Sequence, residues 1–254
     1  MIPLSDMSGS AELNPAPRAL PRSFFARPAD VVAPAMLGLI LLRTLPDGRC
    51  LAGRIVEAEA YLGPEDRASH AFNGRRTPRN ESMYARPGTC YVYFTYGMHF
   101  MLNVACLREG HPAAVLIRAL EPLTGLDEMR QNRPGITRDR ELCNGPGKLC
   151  QALAITRSRN GVDLLSDPAL RLAQAQPPTR TDHQMLKIAC TARVGVDPCG
   201  EWAETPLRWY LESSRFVSRG RPSVNTPRPA KPPDPGEKAS TKRKRNRNTP
   251  ASER

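Results

Sequence analysis

The run from Leu51 to Tyr61 alternates as a β-strand does, then breaks at Gly63-Pro64 into a charged loop that leads to His70. On a strand every second side chain points to the same face, so Glu57, Glu59 and Tyr61 are expected side by side. His70 arrives after the loop and can close over that face. A carboxylate beside stackable rings suits a pocket for a flat, charged or polarised group. If the chain is an enzyme, its chemistry is expected here.

The rest of the chain mixes strand and helix signals. Ala29 to Leu42 reads as a short apolar helix with Asp30 as a cap. Thr89 to Tyr96 is dense in β-favouring residues, turns at Gly97-Met98-His99 and runs on through Phe100 to Leu107, a hairpin signature. Ala114 to Leu120 reads as a strand and Leu123 to Gln131 as a short helix ended by Pro134. Asn144-Gly-Pro-Gly-Lys148 is a tight turn into a helix from Leu149 to Ala154, and Ile188 to Val196 and Leu207 to Val217 look like closing strands. Without repeated βαβ units, these elements predict an α+β domain on an antiparallel sheet. Residues 1–20 are rich in Pro, Ala and Ser, and the chain from about Asn225 is rich in Pro, Lys and Arg. We therefore expect a disordered N-terminal segment (1–20), a folded domain (21–220) and a disordered basic tail (221–254).

Charge narrows the partner. Lys and Arg number 37 against 25 Asp and Glu, a net of +12 over 254 residues. Nine basic and three acidic residues in 228–254 put +6 on the tail and leave +6 on the body. Such an excess favours a polyanion, nucleic acid first. No apolar run approaches the roughly 18 residues of a membrane span, and the N-terminus lacks a secretory pattern. The 7 cysteines and 4 histidines are scattered without Cys-x-x-Cys spacing, which argues against a zinc site and for reduced thiols inside a cell. Asn144-Gly-Pro-Gly-Lys148 lacks the spacing of a nucleotide-triphosphate loop.

Arg118 stands in the apolar run Val115-Leu-Ile-Arg-Ala-Leu120 and needs a partner, since an unpaired buried charge is very costly. Glu59 would make that pair. A carboxylate at a strand end serves as a general base, a water-positioning group or simply an ion-pair partner, and pattern alone does not separate Glu59 from Glu57. Tyr91, Tyr93 and Thr95 share one strand face; core packing is the default for such rings, although Tyr93 can join Tyr61 in flanking a flat ligand. Tyr96 precedes Gly97 at the hairpin tip, where an exposed ring in a basic protein can act as a wedge between bases. Gly74 to Asn80 is a basic loop suited to phosphates or to plain solvation.

Taken together, these blocks resemble the alkyladenine (3-methyladenine) DNA glycosylase family. The match runs through Gly53-Arg-Ile-Val-Glu-Ala-Glu-Ala-Tyr-Leu-Gly-Pro-Glu-Asp66, Thr77-Pro-Arg-Asn80, Pro87-Gly-Thr89, Tyr91-Val-Tyr93 and Tyr96-Gly-Met98. It continues with Arg118-Ala-Leu-Glu-Pro-Leu123, Gly145-Pro-Gly-Lys-Leu-Cys-Gln-Ala-Leu153, Arg193-Val-Gly-Val196 and Pro206-Leu-Arg-Trp-Tyr210, in order across roughly residues 22–218. The resemblance implies a single domain on a curved antiparallel sheet with a protruding hairpin. It implies that Glu59 activates a water for attack on C1′ of a flipped nucleotide, with Arg118 and the backbone carbonyl of Val194 holding that water. Tyr61 would stack on one face of the base and His70 and Tyr93 on the other. Backbone amides around Ala68 and His70 would read the base edge, and Asn103 would exclude normal guanine. Tyr96 would fill the gap in the duplex, while Arg75, Thr77, Met98, His99 and Lys148 border the minor groove or the phosphates. His99 departs from the tyrosine of the mammalian form.

The implied reaction is hydrolysis of damaged purines from double-stranded DNA to leave an abasic site. Electron-rich rings would attract a cationic alkylated purine by ~1–2 kcal/mol. No lysine lies in the matched pocket segments, so no Schiff base is expected, and neither is a cofactor, a metal or a membrane. A monomer is expected, in a bacterial cytoplasm or, for a eukaryotic source, a nucleus. Two rival readings are a non-catalytic nucleic-acid-binding module, in which Glu59 and Arg118 are only an ion pair, and a transferase on a related scaffold.

Overall fold

The alternating run does become the spine of a sheet. A computed structural model describes residues 18–174 and 187–218. Among them are strands β1 (Arg18–Ala19), β2 (Ile40–Thr44), β3 (Cys50–Tyr61), β4 (Cys90–Thr95), β5 (His99–Cys106), β6 (Ala113–Thr124), β7 (Leu170–Gln174), β8 (Ile188–Thr191) and β9 (Arg208–Leu211). The helices are α1 (Ala29–Ala35), α2 (Leu126–Gln131), α3 (Pro146–Ala152) and α4 (Glu201–Glu204). The strands form one antiparallel sheet in the order β1-β7-β2-β3-β6-β5-β4, and β8 is joined to it through β9, which pairs with β3. The α+β expectation is met.

β3 carries three neighbours. One edge pairs with β2 over Cys50 to Arg54 and then with β9 over Glu57 to Glu59, while the other edge pairs with β6. The β3–β6 register passes from Ile55↔Leu120 to Glu57↔Ala119 and then to Ala58↔Ile117. Val56 and Arg118 thereby drop out of register, one on each strand. Such irregularities re-aim side chains, and this one falls where the sequence puts two carboxylates opposite an arginine.

The core gathers Leu51, Ile55, Val104, Val115, Ile117 and Leu120 with Val32 of α1, Met36 just after it and Leu149 of α3. α3 packs against the hairpin just behind its tip, so closely that a Cβ on Gly147 would lie 2.9 Å from the His99 ring. Glycine is thus required there by space, and it brings the start of α3 up to the hairpin.

At the hairpin tip, Tyr96 and Gly97 both have left-handed backbones (φ 52° and 67°), and the Met98 amide donates to the Thr95 carbonyl at 3.2 Å. These are the angles of a primed turn, which suits the twist of the two strands. A tyrosine in that region is strained. Its ring is 77% exposed, so the chain accepts both strain and lost burial to hold it there.

Several boundaries differ from expectation. The run Ala29 to Leu42 is not one helix: α1 ends at Ala35, Gly38 turns with φ 89°, and Ile40-Leu41-Leu42 enter β2. A short apolar run carries no period that separates helix from strand, and pairing with β3 decides it. β6 extends past Leu120 to Thr124, and the helix expected from Leu123 begins at Leu126. α3 starts inside the expected turn, with Pro146 in its first turn, where a missing N–H costs nothing. β8 and β9 are shorter than expected, which leaves Ala192 to Leu207 largely free to carry site residues. β7 gave no signal in the sequence, and β1 lies within the segment expected to be disordered. The remainder of that segment, 1–17, and the basic tail beyond Ser218 lie outside the described residues.

Candidate active site

Glu57 and Glu59 share a face of β3, both with fully buried side chains, yet their surroundings differ. Glu57 Oε1 accepts from Arg118 Nε at 2.8 Å, Arg208 Nε at 2.7 Å and Ser218 Oγ at 2.7 Å, and Oε2 accepts from the Ser218 amide at 2.6 Å. Burial alone would raise its pKa, but Arg118, Arg208 and Ser218 outweigh burial and hold it below the ordinary value. This carboxylate is saturated by the fold.

Glu59 is held more lightly. Its Oε1 accepts from the Val194 amide at 2.8 Å and lies 3.2 Å from Arg118 Nη1, and its Oε2 accepts from the Tyr61 hydroxyl at 3.1 Å. A carboxylate offers about four acceptor positions, so one remains. Arg118 meets its expected partner Glu59 and also Glu57, which it approaches more closely. Burial works against the Arg118 charge, but Glu59 and Glu57 outweigh it and raise its pKa. At Val194 it is the amide that contacts Glu59.

The three partners of Glu59 (Tyr61, Arg118 and Val194) line a cavity of about 320 Å³, with the carboxylate directly behind them. Burial, then the Glu59 charge, push the Tyr61 hydroxyl well above its usual range, so it stays protonated and donates. The other lining includes Ala68, His70, Tyr91, Tyr93 and Asn103, with Tyr96 and Pro146 at the rim. Tyr93 thus belongs to the cavity wall more than to the core. His70 stands edge-on to Tyr93 with centroids 4.5 Å apart, and its Nδ1 lies 2.9 Å from the Tyr91 hydroxyl. Asn103, opposite Tyr91 on β5, donates from Nδ2 to the Tyr91 carbonyl at 3.2 Å.

His70 keeps one side open to solvent, while the ring is partly buried where Nδ1 meets the Tyr91 hydroxyl and one edge meets Tyr93. That burial, followed by the charges of Arg79 and Arg75, lowers its pKa to about 4. The imidazole is neutral at pH 7. We expect the His70 ring protons to titrate by NMR with a midpoint near 4; a midpoint at 6.5 would overturn this environment. Because the unfolded chain takes up this proton at higher pH, the contribution to stability is present above about 6.5 and is lost as pH falls toward 4.

Sequence reasoning missed a second buried network. Arg193 Nη1 and Nη2 donate to Asp66 at 2.6 and 2.9 Å, and Nη1 also donates to the Ala60 carbonyl at 2.9 Å. Its guanidinium lies 4.8 Å from the centre of the Tyr61 ring. Asp66 also accepts from the Leu62 and Ala68 amides, which folds the loop after β3 around it. The Ala68 amide is therefore turned to Asp66, whereas the resemblance implies that it reads a ligand edge; a buried carboxylate needs its donors. The rule that exposed Arg118, an arginine needing a partner, applies equally to Arg193 and Arg208.

The remaining expected residues lie outside the cavity lining. Asn80 pins the basic loop by accepting from the Thr77 amide at 2.7 Å and donating to the Arg75 carbonyl at 2.8 Å. Arg75 itself is exposed. Met98, 70% exposed, stands beside Tyr96 at the tip, His99 lies against Gly147, and Lys148 donates to Asn144 at 2.9 Å. Arg79 places its guanidinium 5.4 Å from the Tyr93 ring centre. Among the described residues no group of three His, Cys, Asp or Glu side chains could hold a metal ion.

Residues 23–215 match the family model described as methylpurine-DNA glycosylase. The DNA-3-methyladenine glycosylase of Homo sapiens is 50% identical over 203 residues, 77% of this chain and 66% of the relative. The protein of that name from Mus musculus is also 50% identical over 203 residues, 60% of its own length. The chain thus spans under two thirds of the length of these mammalian relatives. A relative from Desulfitobacterium hafniense is 42% identical over 208 residues, 79% of this chain and 98% of its own length.

Proposed function

The chain belongs to the methylpurine-DNA glycosylase family, and from that footing we propose that it hydrolyses the N-glycosidic bond of alkylated or deaminated purines in double-stranded DNA. The observation that carries this reading is the contrast between the two carboxylates. Glu57 is saturated by fixed donors, whereas Glu59 keeps an acceptor position beside a cavity walled by rings.

Chemistry on a paired base requires its extrusion, which costs a few kcal/mol and least for a damaged or mispaired base. The strained, exposed Tyr96 at the rim suits the role of filling the vacated stack. In the cavity, Tyr61 lies to one side of the base and His70 and Tyr93 to the other. Glu59 takes a proton from water as the water oxygen bonds to C1′ and the purine leaves with the electrons of the glycosidic bond. The charge of Glu59, fixed in a dry site, also stabilises the cationic sugar. Arg118 and the Val194 amide orient the carboxylate. Neutral His70 puts no positive charge beside a cationic purine.

The rings support cationic lesions less than the sequence suggests. Tyr61 already carries Arg193 near one face and Tyr93 carries Arg79. A second cation on such a ring is repelled by the first, so the expected ~1–2 kcal/mol is reduced. Selection among lesions then leans on Asn103 and the base edge.

The test is incubation with duplexes carrying hypoxanthine, 3-methyladenine or 7-methylguanine, followed by alkali. Strand breaks are expected only after alkali, at the lesion. Absence of breaks on all three duplexes, from folded protein, would refute the reading.

A further inference from the structure

A second cavity, of about 570 Å³, lies against the first, and Arg118 and Val194 line both. Its other lining includes Arg138, Arg140, Lys148 and Arg215, with Glu141 as the one carboxylate. Arg138 meets Glu141 at 2.5 Å and Arg140 lies 4.0 Å from the same oxygen. One acid against four cations leaves three positive charges unmatched around the space. Arg118 adds nothing to that count, since Glu57 and Glu59 already neutralise it.

Crowding of this kind is unfavourable in the free protein. Burial of part of its side chain, then Arg133 outside this lining, lower the pKa of Lys148, and Glu141 opposes them. Arg140 side-chain exposure is 43% and that of Arg138 is 62%, so these guanidiniums reach the solvent side of the cavity. Arg215 is exposed as well and rests 5.1 Å above the Phe216 ring. The donors form a set of planar forks suited to a tetrahedral oxyanion.

The geometry points to a phosphodiester-binding site, occupied by a backbone phosphate next to the extruded nucleotide. The assignment rests on the glycosylase reading: with the purine in the first cavity, its sugar lies at the Arg118–Val194 wall, and the adjoining phosphate passes into the second. The site would fix the strand on both sides of the scissile bond, one cavity gripping the base and the other the backbone. Only Lys148 among its cations was expected at the DNA from sequence. Arg138, Arg140 and Arg215 extend that surface.

The experiment is a cycle that removes charge from either partner. Full-length protein and the Arg138→Gln/Arg215→Gln variant are titrated with a duplex containing an abasic-site analogue, its flanking phosphates either native or replaced by neutral methylphosphonates. Wild type should lose about three- to tenfold in affinity on neutralising the flank. The variant should start weaker by about that factor and lose nothing more. Arg171→Gln, on exposed β7 surface, should behave as wild type. Losses that multiply in the double variant would overturn the site. Losses that multiply while inorganic phosphate competes beyond chloride at equal ionic strength would assign the cavity to a free anion instead. Coupling without purine release would leave the phosphate site standing and overturn the glycosylase reading; release without coupling would do the reverse.

Discussion

Glu59→Gln should lower single-turnover base release by about 10²- to 10⁴-fold, the range lost with a general base, while the protein still folds and binds a lesion duplex within a few-fold of wild type. The amide has nearly the volume of the carboxylate, so the fully buried site is not emptied. A glutamine oxygen can still accept from the Val194 amide, now 2.8 Å from Oε1, and from the Tyr61 hydroxyl, now 3.1 Å from Oε2, though one oxygen must serve both or lose one. It cannot take a proton from water, and it removes the negative charge nearest the developing sugar cation. Arg118 keeps Glu57 at 2.8 Å, so its charge is not orphaned. Quench-flow release from a hypoxanthine duplex reads the rate, and fluorescence anisotropy with the same duplex reads binding. Undiminished release would remove Glu59 from the role of base. If binding falls as far as the rate does, the residue holds the site together and does not act on water.

The contrast between the two carboxylates shows what the sequence could carry. Alternation put Glu57, Glu59 and Tyr61 on one face, and the structure has them there. The pattern could not rank the carboxylates, because the donors that saturate Glu57 come from Arg208 and Ser218, more than 150 positions downstream and without local signal. The hairpin tip at Tyr96 was legible because turn chemistry is local. The strand Ile40–Thr44 was hidden within an apolar run whose identity depends on pairing with β3. Asp66 escaped notice for the same reason as Ser218: its partner Arg193 lies 127 residues away. Family resemblance named about half of the positions lining the cavity, but it gave no sign that the Ala68 amide is committed to Asp66 or that guanidiniums already flank the rings.

Glu57→Gln should instead cost stability, about 3–5 kcal/mol, the usual penalty for leaving a buried charge without its partner. Four donors converge on this side chain, and of these only the Ser218 hydroxyl can also accept. An amide replaces one acceptor oxygen by an NH₂ that adds two more donors to the cluster, so at least one donor loses its partner. Arg118 can fall back on Glu59 at 3.2 Å, but among the described residues Arg208 then keeps the Thr191 hydroxyl at 3.4 Å, the Ser218 carbonyl at 3.3 Å and the face of the Tyr210 ring. For a domain of this size each kcal/mol moves Tm by about 2–4 °C, so thermal unfolding at pH 7 should fall by roughly 6–20 °C. The pKa of Glu57 is held down in the folded state, so its contribution is present above about 4.5, the unfolded value, and is lost as pH falls through the folded one. The gap in Tm between wild type and variant should therefore be wide at pH 7 and narrow steadily below pH 4.5. Equal Tm values at pH 7 would mean that the Ser218 contacts and the two arginines do not hold the sheet at this point. A gap that persists unchanged to pH 3 would place the loss in packing and not in charge. Base release per folded molecule should fall far less than in Glu59→Gln, because the carboxylate beside the cavity is still in place.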